Sequence, residues 1–415
     1  MIEIKFLGGA GEVGRSSFFV DSGVEKFLLD YGISVQQMAV PVQPTVNLDG
    51  VVLSHSHLDH IGIVPELYKR GYKGETFLTK TTQKLSELML YDAIKVQDRR
   101  GLTPLFQTYD IETYMASAHP LEFKEKINLR NSTLELRDAG HIPGSAATLL
   151  ETEGKRILYT GDIKFSDTSL MKGADQHYKD IDAVITESTY YYKNHPDRGK
   201  LVDELREHVQ QIVYNDGIVL LPCFAVGRTQ EMLMLVHDLG FPVYLDGMGI
   251  EATKAVLSNP SSVKDPDILK KAFGKAHKVV GVSERSKVVK RPGIIITTSG
   301  MLNGGPIHNY LKKLYKREDC SLVLSGFQVE GTPGRELVDT KKIKINGEEL
   351  EPRLQMKFMD FSAHCGRDDL LAFLKKINPK KTILVHGADT AGFAKELEKE
   401  GLEALAPKNG DIIKI

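Results

Sequence analysis

One stretch constrains this chain more than any other: Ser54-His55-Ser56-His57-Leu58-Asp59-His60, directly after the apolar run Gly50–Leu53. The run reads as a strand, so the stretch reads as the loop that leaves it. Three histidines and an aspartate within six positions can turn several ligand atoms toward one point. Neutral imidazole and carboxylate are the ligands zinc uses in catalytic sites. His55 and His57 stand two residues apart and face the same way if the strand continues, while Asp59 and His60 turn toward a neighbouring point. The alternative is a solvated polar loop. A random chain with thirteen histidines would rarely place three so close together after a strand, so the metal reading is preferred.

One loop does not complete two metal shells. Six further residues lie at or just after the end of an apolar run: Asp30 in FLLD, His141 after LELR, Asp162 after ILYTG, Glu187 in AVITE, His364 after FMDFSA and His386 in TILVH. Active sites of sheet proteins gather at strand ends, on loops held by a rigid frame, so these residues are expected in one shared cavity. Each has a plainer reading alone: a turn residue for Asp30, a loop histidine for His141, a turn or cap for Asp162. The joint pattern favours the site.

The 415 residues exceed what one core usually takes, so two domains are expected. The N-terminal half alternates short apolar runs and turns: Ile2–Phe6, Ser17–Val20, Lys26–Leu29, Thr76–Leu78, Thr133–Arg137, Thr148–Glu151, Arg156–Tyr159 and Ala183–Ile185 read as strands, with helical spacing over Pro65–Gly71 and Thr82–Gln97. From about Pro196 strands and helices alternate, which predicts a parallel α/β unit: helices over Lys200–Tyr214, Arg228–Leu239 and around His308–Tyr315, strands at Gly217–Leu221, Val243–Leu245, Gly293–Thr297 and Ser321–Leu324. The final strand–helix–strand, Thr382–Val385, Thr390–Gly401 and Asp411–Ile415, can close the first domain and make the α/β unit an insertion.

Cys223, Cys320 and Cys365 form no CxxC pair, and their odd number is no disulfide framework; a reducing, cytoplasmic compartment fits. The opening MIEIKFLGGAGEVG has no basic-then-apolar leader and no apolar run reaches membrane length, so neither a signal peptide nor a membrane span is expected. With a formal net charge of -1, any nucleic-acid binding has to come from a local basic groove and from metal ions.

The HxHxDH loop, with the later His141, Asp162 and His386, resembles the metallo-β-lactamase fold superfamily. Glu187 in TEST, His364 in FSAH and His386 in LVHG resemble its β-CASP branch of RNA and DNA nucleases. Pro222–Arg228 (PCFAVGR), Ser299–Leu302 (SGML) and Gly326–Arg335 (GFQVEGTPGR) are similar to the group that holds the nuclease subunit of the eukaryotic cleavage and polyadenylation specificity factor and its archaeal and bacterial homologues. The resemblance spans essentially the whole chain. It implies an α/β fold: an αββα sandwich over residues 1–187 and 355–415, carrying an inserted α/β β-CASP domain over 188–354, with the metal sites at one edge of the sandwich under the insert. The sandwich motifs begin almost at Met1, so no additional N-terminal RNA-binding domain is expected.

By position the resemblance assigns His55, His57 and His141 to a first zinc, Asp59, His60 and His386 to a second, and Asp162 to both, with Asp30 orienting ligands. It implies two Zn²⁺ per chain, roughly 3.5–4 Å apart, and a bridging hydroxide that attacks phosphorus, leaving 5′-phosphate and 3′-hydroxyl ends. Asp59 would orient the hydroxide, and His364, kept protonated by Glu187, would protonate the leaving oxygen. Gly366 stands where many relatives carry aspartate, and Tyr191 where many carry glycine.

The expected partner is single-stranded RNA, held by Arg228, Ser299, Gly300 and Gly331 on glycine-bearing loops after strands, with ordinary tight turns as the plainer reading. Tyr190, Tyr191 and Tyr192 are candidates for stacking on bases, with at least one of them core, and Cys365 is read as a structural thiol. A homodimer is compatible with the family. Endonucleolytic and 5′→3′ exonucleolytic cleavage both fit these motifs. Two other readings fit the sequence less well. A thioesterase or lactonase needs no such insertion. A non-catalytic RNA-processing scaffold would be expected to lack ligands that this chain has.

Overall fold

The computed structural model describes all residues, 1–415. They group into two compact units: Met1–Asp167, Gly173–Asn194 and Ala363–Ile415 in the first, Thr168–Lys172 and His195–Ser362 in the second.

The first unit owes its layers to alternation along its strands. Phe27 and Leu29 point to one side of their strand and Leu28 to the other; Ile157 and Tyr159 do the same about Leu158. Phe27, Leu29, Val52 and Phe77 of one sheet meet Ile157, Tyr159, Ile185 and Val385 of the other in a single core. The opposite faces are covered by helices. Leu28, Val51 and Leu78 pack with Leu67, Leu90 and Tyr114, and Leu158, Val184 and Leu384 pack with Phe373, Leu374 and Phe393. The result is four layers, helix–sheet–sheet–helix, as expected.

The first sheet has seven strands in the order Ile412–Lys414, Glu3–Gly8, Ser17–Asp21, Lys26–Leu29, Gly50–Val52, Thr76–Thr79, Ala118–Leu121. The second runs Ala404–Leu405, Lys381–Val385, Ala183–Glu187, Lys155–Tyr159, Ala146–Thr152, Ser132–Asp138, Lys126–Asn128. Lys381–Val385 lies parallel to Ala183–Glu187, with Glu187 opposite Val385, so residues some two hundred positions apart share one sheet end. The final strand–helix–strand therefore belongs to this unit.

The second unit is built on a six-stranded sheet in the order His277–Val279, Val243–Asp246, Gly293–Thr297, Ile218–Pro222, Ser321–Leu324, Gln355–Phe358, every pair parallel. Its central strands, IVLLP and GIIIT, are buried along their whole length, because helices cover both faces of a parallel sheet. The division between units lies a few residues beyond the expected 187/188 and 354/355. Gln355–Phe358 is an edge strand of the second unit's sheet, paired with Ser321–Leu324, and so falls outside the sandwich.

Candidate metal centre

The strand Gly50–Val52 ends one residue sooner than its apolar run suggests. His55 and His57 lie on irregular backbone, and Leu58–Ile61 forms a helical turn. The main-chain carbonyls of this turn are already used. Ser16 N–H donates to Asp59 O (2.8 Å), Tyr31 N–H to His60 O (2.8 Å) and Ile33 N–H to Leu58 O (3.0 Å). The neighbouring chain passes so close that a Cβ on Gly32 would lie 1.7 Å from Asp59 O. Gly161 adopts φ +56°, and a Cβ there would meet Ser54 Cβ at 2.6 Å. These approaches let the loop sit rigidly against the strand ends.

Asp30 is wholly buried and accepts four hydrogen bonds: from Ser54 N (2.7 Å), Ser54 Oγ (2.6 Å), His60 Nδ1 (2.6 Å) and Tyr159 Oη (2.6 Å). Because a carboxylate only accepts, His60 carries its proton on Nδ1. Ser54 spends its hydroxyl proton on Asp30, so its oxygen accepts from His55 Nδ1 (3.0 Å). The Ala363 carbonyl fixes the Nδ1 proton of His141 (2.9 Å). Thr189 donates to the His386 carbonyl (3.1 Å), which leaves its oxygen to accept from His386 Nδ1 (3.1 Å). In four histidines Nε2 is therefore the bare nitrogen.

Those bare nitrogens converge. His55 Nε2 and His141 Nε2 lie 3.1 and 3.3 Å from His57 Nδ1. Asp162 Oδ2 lies 3.6 Å from His55 Nε2 and 3.7 Å from His141 Nε2. Its other oxygen, Oδ1, lies 3.4 Å from His60 Nε2 and 3.4 Å from His386 Nδ1. Asp59 Oδ2 stands 3.3 Å from His386 Nε2 and 3.9 Å from His60 Nε2. The ligand-type atoms fall into two main groups, His55/His57/His141/Asp162 and Asp59/His60/His386, with Asp162, Glu187 and His386 forming a third combination.

Tetrahedral zinc with bonds of about 2.0–2.1 Å holds its ligand atoms roughly 3.4 Å apart, the spacing seen here. His60 Nε2 and Asp162 Oδ1 are buried without a hydrogen bond. Acceptors that face one another at such range repel unless a cation lies between them, so the residues fit metal ions.

Protonation follows the same division. Burial and the neighbouring imidazoles hold His55 and His141 well below the ordinary histidine value, and burial brings His57 down to about 4, so these three imidazoles are neutral. Against burial, the carboxylates of Asp162, Asp30 and Asp59 raise the His60 value, and Asp162 with Asp59 raises that of His386, so at Nε2 of these two a proton and a metal ion compete for the same place.

Glu187 is buried. Its carboxylate accepts from Ile163 N (2.7 Å) and from His364 Nδ1 (2.9 and 3.0 Å). Against burial, Glu187 and then Asp162 raise the His364 imidazole to about 9. Gly366 supplies no carboxylate, yet His364 is held: Cys365 N–H donates to Ile163 O (2.7 Å), and Lys164 Nζ donates to His364 O (3.1 Å). Cys365 is buried and its thiol is pushed up by burial, consistent with a structural role. Ser54, Tyr159, Lys164 and Thr189 are the positioning residues that sequence reasoning passed over. Only Tyr159 left a signal, a hydroxyl at the inward end of an apolar strand.

The substrate-binding candidates lie in the second unit. Arg228 is buried, bonds Glu231 Oε2 through Nη1 (2.5 Å), and shares that carboxylate with Arg198. Two guanidiniums thus share one carboxylate, and Arg228 Nε is buried without a hydrogen bond. Ser299 Oγ accepts from Asn303 N (3.1 Å), Gly300 packs under Phe224, and Gly331 is exposed at φ +80°. Of the three tyrosines, Tyr190 is buried, Tyr191 stacks on Phe393 and bonds Asp389, and Tyr192 is exposed.

A four-layer sandwich with two sets of histidine and carboxylate side chains of metal-ligand type at its strand ends defines a metallo-β-lactamase fold with a candidate metal centre. Residues 229–337 match the Beta-Casp domain, 350–407 the Zn-dependent metallo-hydrolase RNA specificity domain, and 8–219 the anti-Pycsar protein Apyc1 family. The chain is 37% identical to a probable RNase MJ4 of Methanocaldococcus jannaschii over the full length of both. It is 34% identical to RNase aCSPSF2 of Saccharolobus solfataricus (99% of this chain, 85% of that one) and 34% identical to the transcription termination factor FttA of M. jannaschii (100% and 72%). Its fold is also that of a protein of unknown function from Enterococcus faecalis V583, known from a crystal structure (TM-score 0.64, 15% identity, 99% of each chain). This chain belongs to the β-CASP nuclease branch of the metallo-β-lactamase superfamily.

Proposed function

We propose that this chain is a zinc-dependent ribonuclease that hydrolyses RNA phosphodiester bonds and leaves 5′-phosphate and 3′-hydroxyl ends. The observation that carries this reading is the division of one carboxylate: Asp162 turns Oδ2 toward His55 and His141, and Oδ1 toward His60 and His386. The names of two relatives, both RNases, support RNA as the substrate.

His55, His57 and His141 would hold one zinc, Asp59, His60 and His386 a second, with Asp162 common to both and Asp30 orienting His60. Bound there, zinc supplies Lewis acidity toward phosphoryl oxygens and makes water more acidic. Asp59, at the exposed side of its group, orients the attacking water. Glu187 holds Nδ1 of His364, so Nε2 is the atom that delivers a proton to the leaving 3′-oxygen. Ser299, Gly300 and Gly331 offer main-chain amides to the RNA backbone; Arg228, already paired with Glu231, is left out of that set.

The test pairs metal analysis with product mapping on internally labelled and 5′-labelled RNAs bearing mono- or triphosphate ends. Expected are bound zinc and 5′-phosphorylated products, as mononucleotides for exonucleolytic action or discrete long fragments for endonucleolytic action. A zinc-loaded protein that leaves RNA intact, or a metal-free one that cleaves it, defeats the proposal.

A further inference from the structure

Tyr190, Tyr191 and Tyr192 follow the strand that ends at Glu187, and the metal chemistry uses none of them. They are built unequally. Tyr190 is 4% exposed, with its ring 5.9 Å from that of His364. Tyr191 is clamped from two sides. It stacks on the buried Phe393 (5.2 Å, 25°) and donates its hydroxyl to Asp389, which caps the helix Thr390–Lys399. Tyr192 is 56% exposed, and its ring rests on both neighbours: 6.1 Å from Tyr190 at 38°, and 6.0 Å from Tyr191 edge-on at 86°. The Lys193 ammonium stands 4.8 Å over the Tyr190 ring.

An exposed tyrosine on a loose loop loses rotamer freedom when it binds anything. Tyr192 is instead flanked by two held rings, which narrow the rotamers open to it. A solvent-facing aromatic surface so supported is what a nucleobase stacks on. Two further facts select the ligand. The ring row His364–Tyr190–Tyr192, with steps of 5.9 and 6.1 Å, leads outward from the residue beside the candidate metal groups. A cation sits along that row, suited to the phosphates linking successive bases. Tyr109 is more exposed, at 73%, but no ring row joins it to the site.

We propose that Tyr192 is a base-stacking platform for single-stranded RNA, taking a nucleobase close to the scissile phosphate, with Lys193 facing the backbone beside it. This rests on the ribonuclease reading for its substrate, but the platform can be tested by binding alone. Stacking on a π-face does not depend on base identity, so the platform is sequence-tolerant and selects for unpaired RNA.

The experiment moves 2-aminopurine stepwise along a short single-stranded RNA and records its quenching on the zinc-loaded protein before turnover. KM and kcat are measured in parallel on the unmodified RNA. Wild type is expected to show a quenching maximum at one position. Tyr192→Ala is expected to lose it and to raise KM on the order of tenfold with kcat kept. Tyr192→Phe should retain both, and Tyr109→Ala serves as the exposed-surface control. An abasic nucleotide at the quenched position should raise the wild-type KM to that of Tyr192→Ala and raise the variant's no further. A Tyr192→Ala protein with the wild-type quenching profile and KM overturns the platform. If the wild type binds RNA without cleaving it, the quenching profile alone decides: Tyr192-dependent quenching upholds the platform while the ribonuclease reading fails, and a profile indifferent to Tyr192 overturns it.

Discussion

Asp162 in the first unit and Asp246 in the second are both buried aspartates at the ends of apolar strands. Asp246 accepts from Arg285 Nε (2.6 Å), Arg285 Nη2 (2.9 Å) and Tyr310 Oη (2.7 Å). Asp162 instead faces the imidazoles of His55, His60, His141 and His386, and the remaining proton of three of them is committed to an acceptor elsewhere. The desolvation cost is of the same kind in both places. In the second unit the chain supplies the compensating charge itself; in the first it arranges acceptors around a place for one. Burial of a charged residue at a strand end is thus no sign of a site. What distinguishes the two is whether the partners donate.

Neutralising each carboxylate in turn is the strongest way to break this contrast. Asp162→Asn is expected to strip both groups of metal, so zinc measured by elemental analysis and RNA cleavage disappear together. Asp246→Asn should keep its zinc while folding stability in urea falls by about 3 kcal/mol, because Arg285 loses a buried partner. A D162N protein with full metal content would end the idea of a shared ligand.

Next in size, His364→Ala should slow turnover by about 10²–10⁴-fold at unchanged metal content, the range of a lost general acid. If zinc leaves with the imidazole, the residue belongs to the ligand set instead. Tyr159→Phe removes one of the four bonds that fix Asp30, and zinc affinity read by chelator competition should weaken by about 10–100-fold. Unchanged affinity would mean that Ser54 and His60 suffice to hold the carboxylate.

The smallest effect lies in the second unit. His208 is buried against Ser321 (2.7 Å), and burial lowers its pKa. As pH falls through the ordinary histidine value, the unfolded chain takes up a proton that the folded state resists, so stability drops on the acid side. His208→Gln should flatten that part of the stability profile between pH 7.5 and 5.5 relative to wild type, by urea titration.

Much of this was legible in the chain itself. Short apolar runs such as Phe27-Leu28-Leu29, set off by turns, marked strands of the first unit, and the family resemblance implied its layers. The alternation of strands such as IVLLP and GIIIT with helices from about Pro196 predicted the parallel sheet of the second. The short edge strands His277–Val279 and Gln355–Phe358 were missed, since each holds its place by pairing along one side and carries little apolar pattern of its own. The candidate ligands His55, His57, Asp59, His60, His141, Asp162 and His386 were found because each ends or follows an apolar run, and the structure brings all seven together. Arg228 was selected by the same local logic at a helix start; the structure adds that it pairs with Glu231, which a helical turn places within reach and which Arg198 shares.

The sequence by itself determined residue identity, spacing and strand alternation, because these are local properties of the chain. The tertiary structure decided which nitrogen of each histidine is bare, and that one carboxylate is divided between two groups. It also decided that Tyr159 reaches Asp30 across 129 positions and that the Ala363 carbonyl orients His141 across 222. Such choices are made by hydrogen-bond partners that only folding brings within 3 Å, in a core where an unmatched polar atom is costly enough to exclude other arrangements.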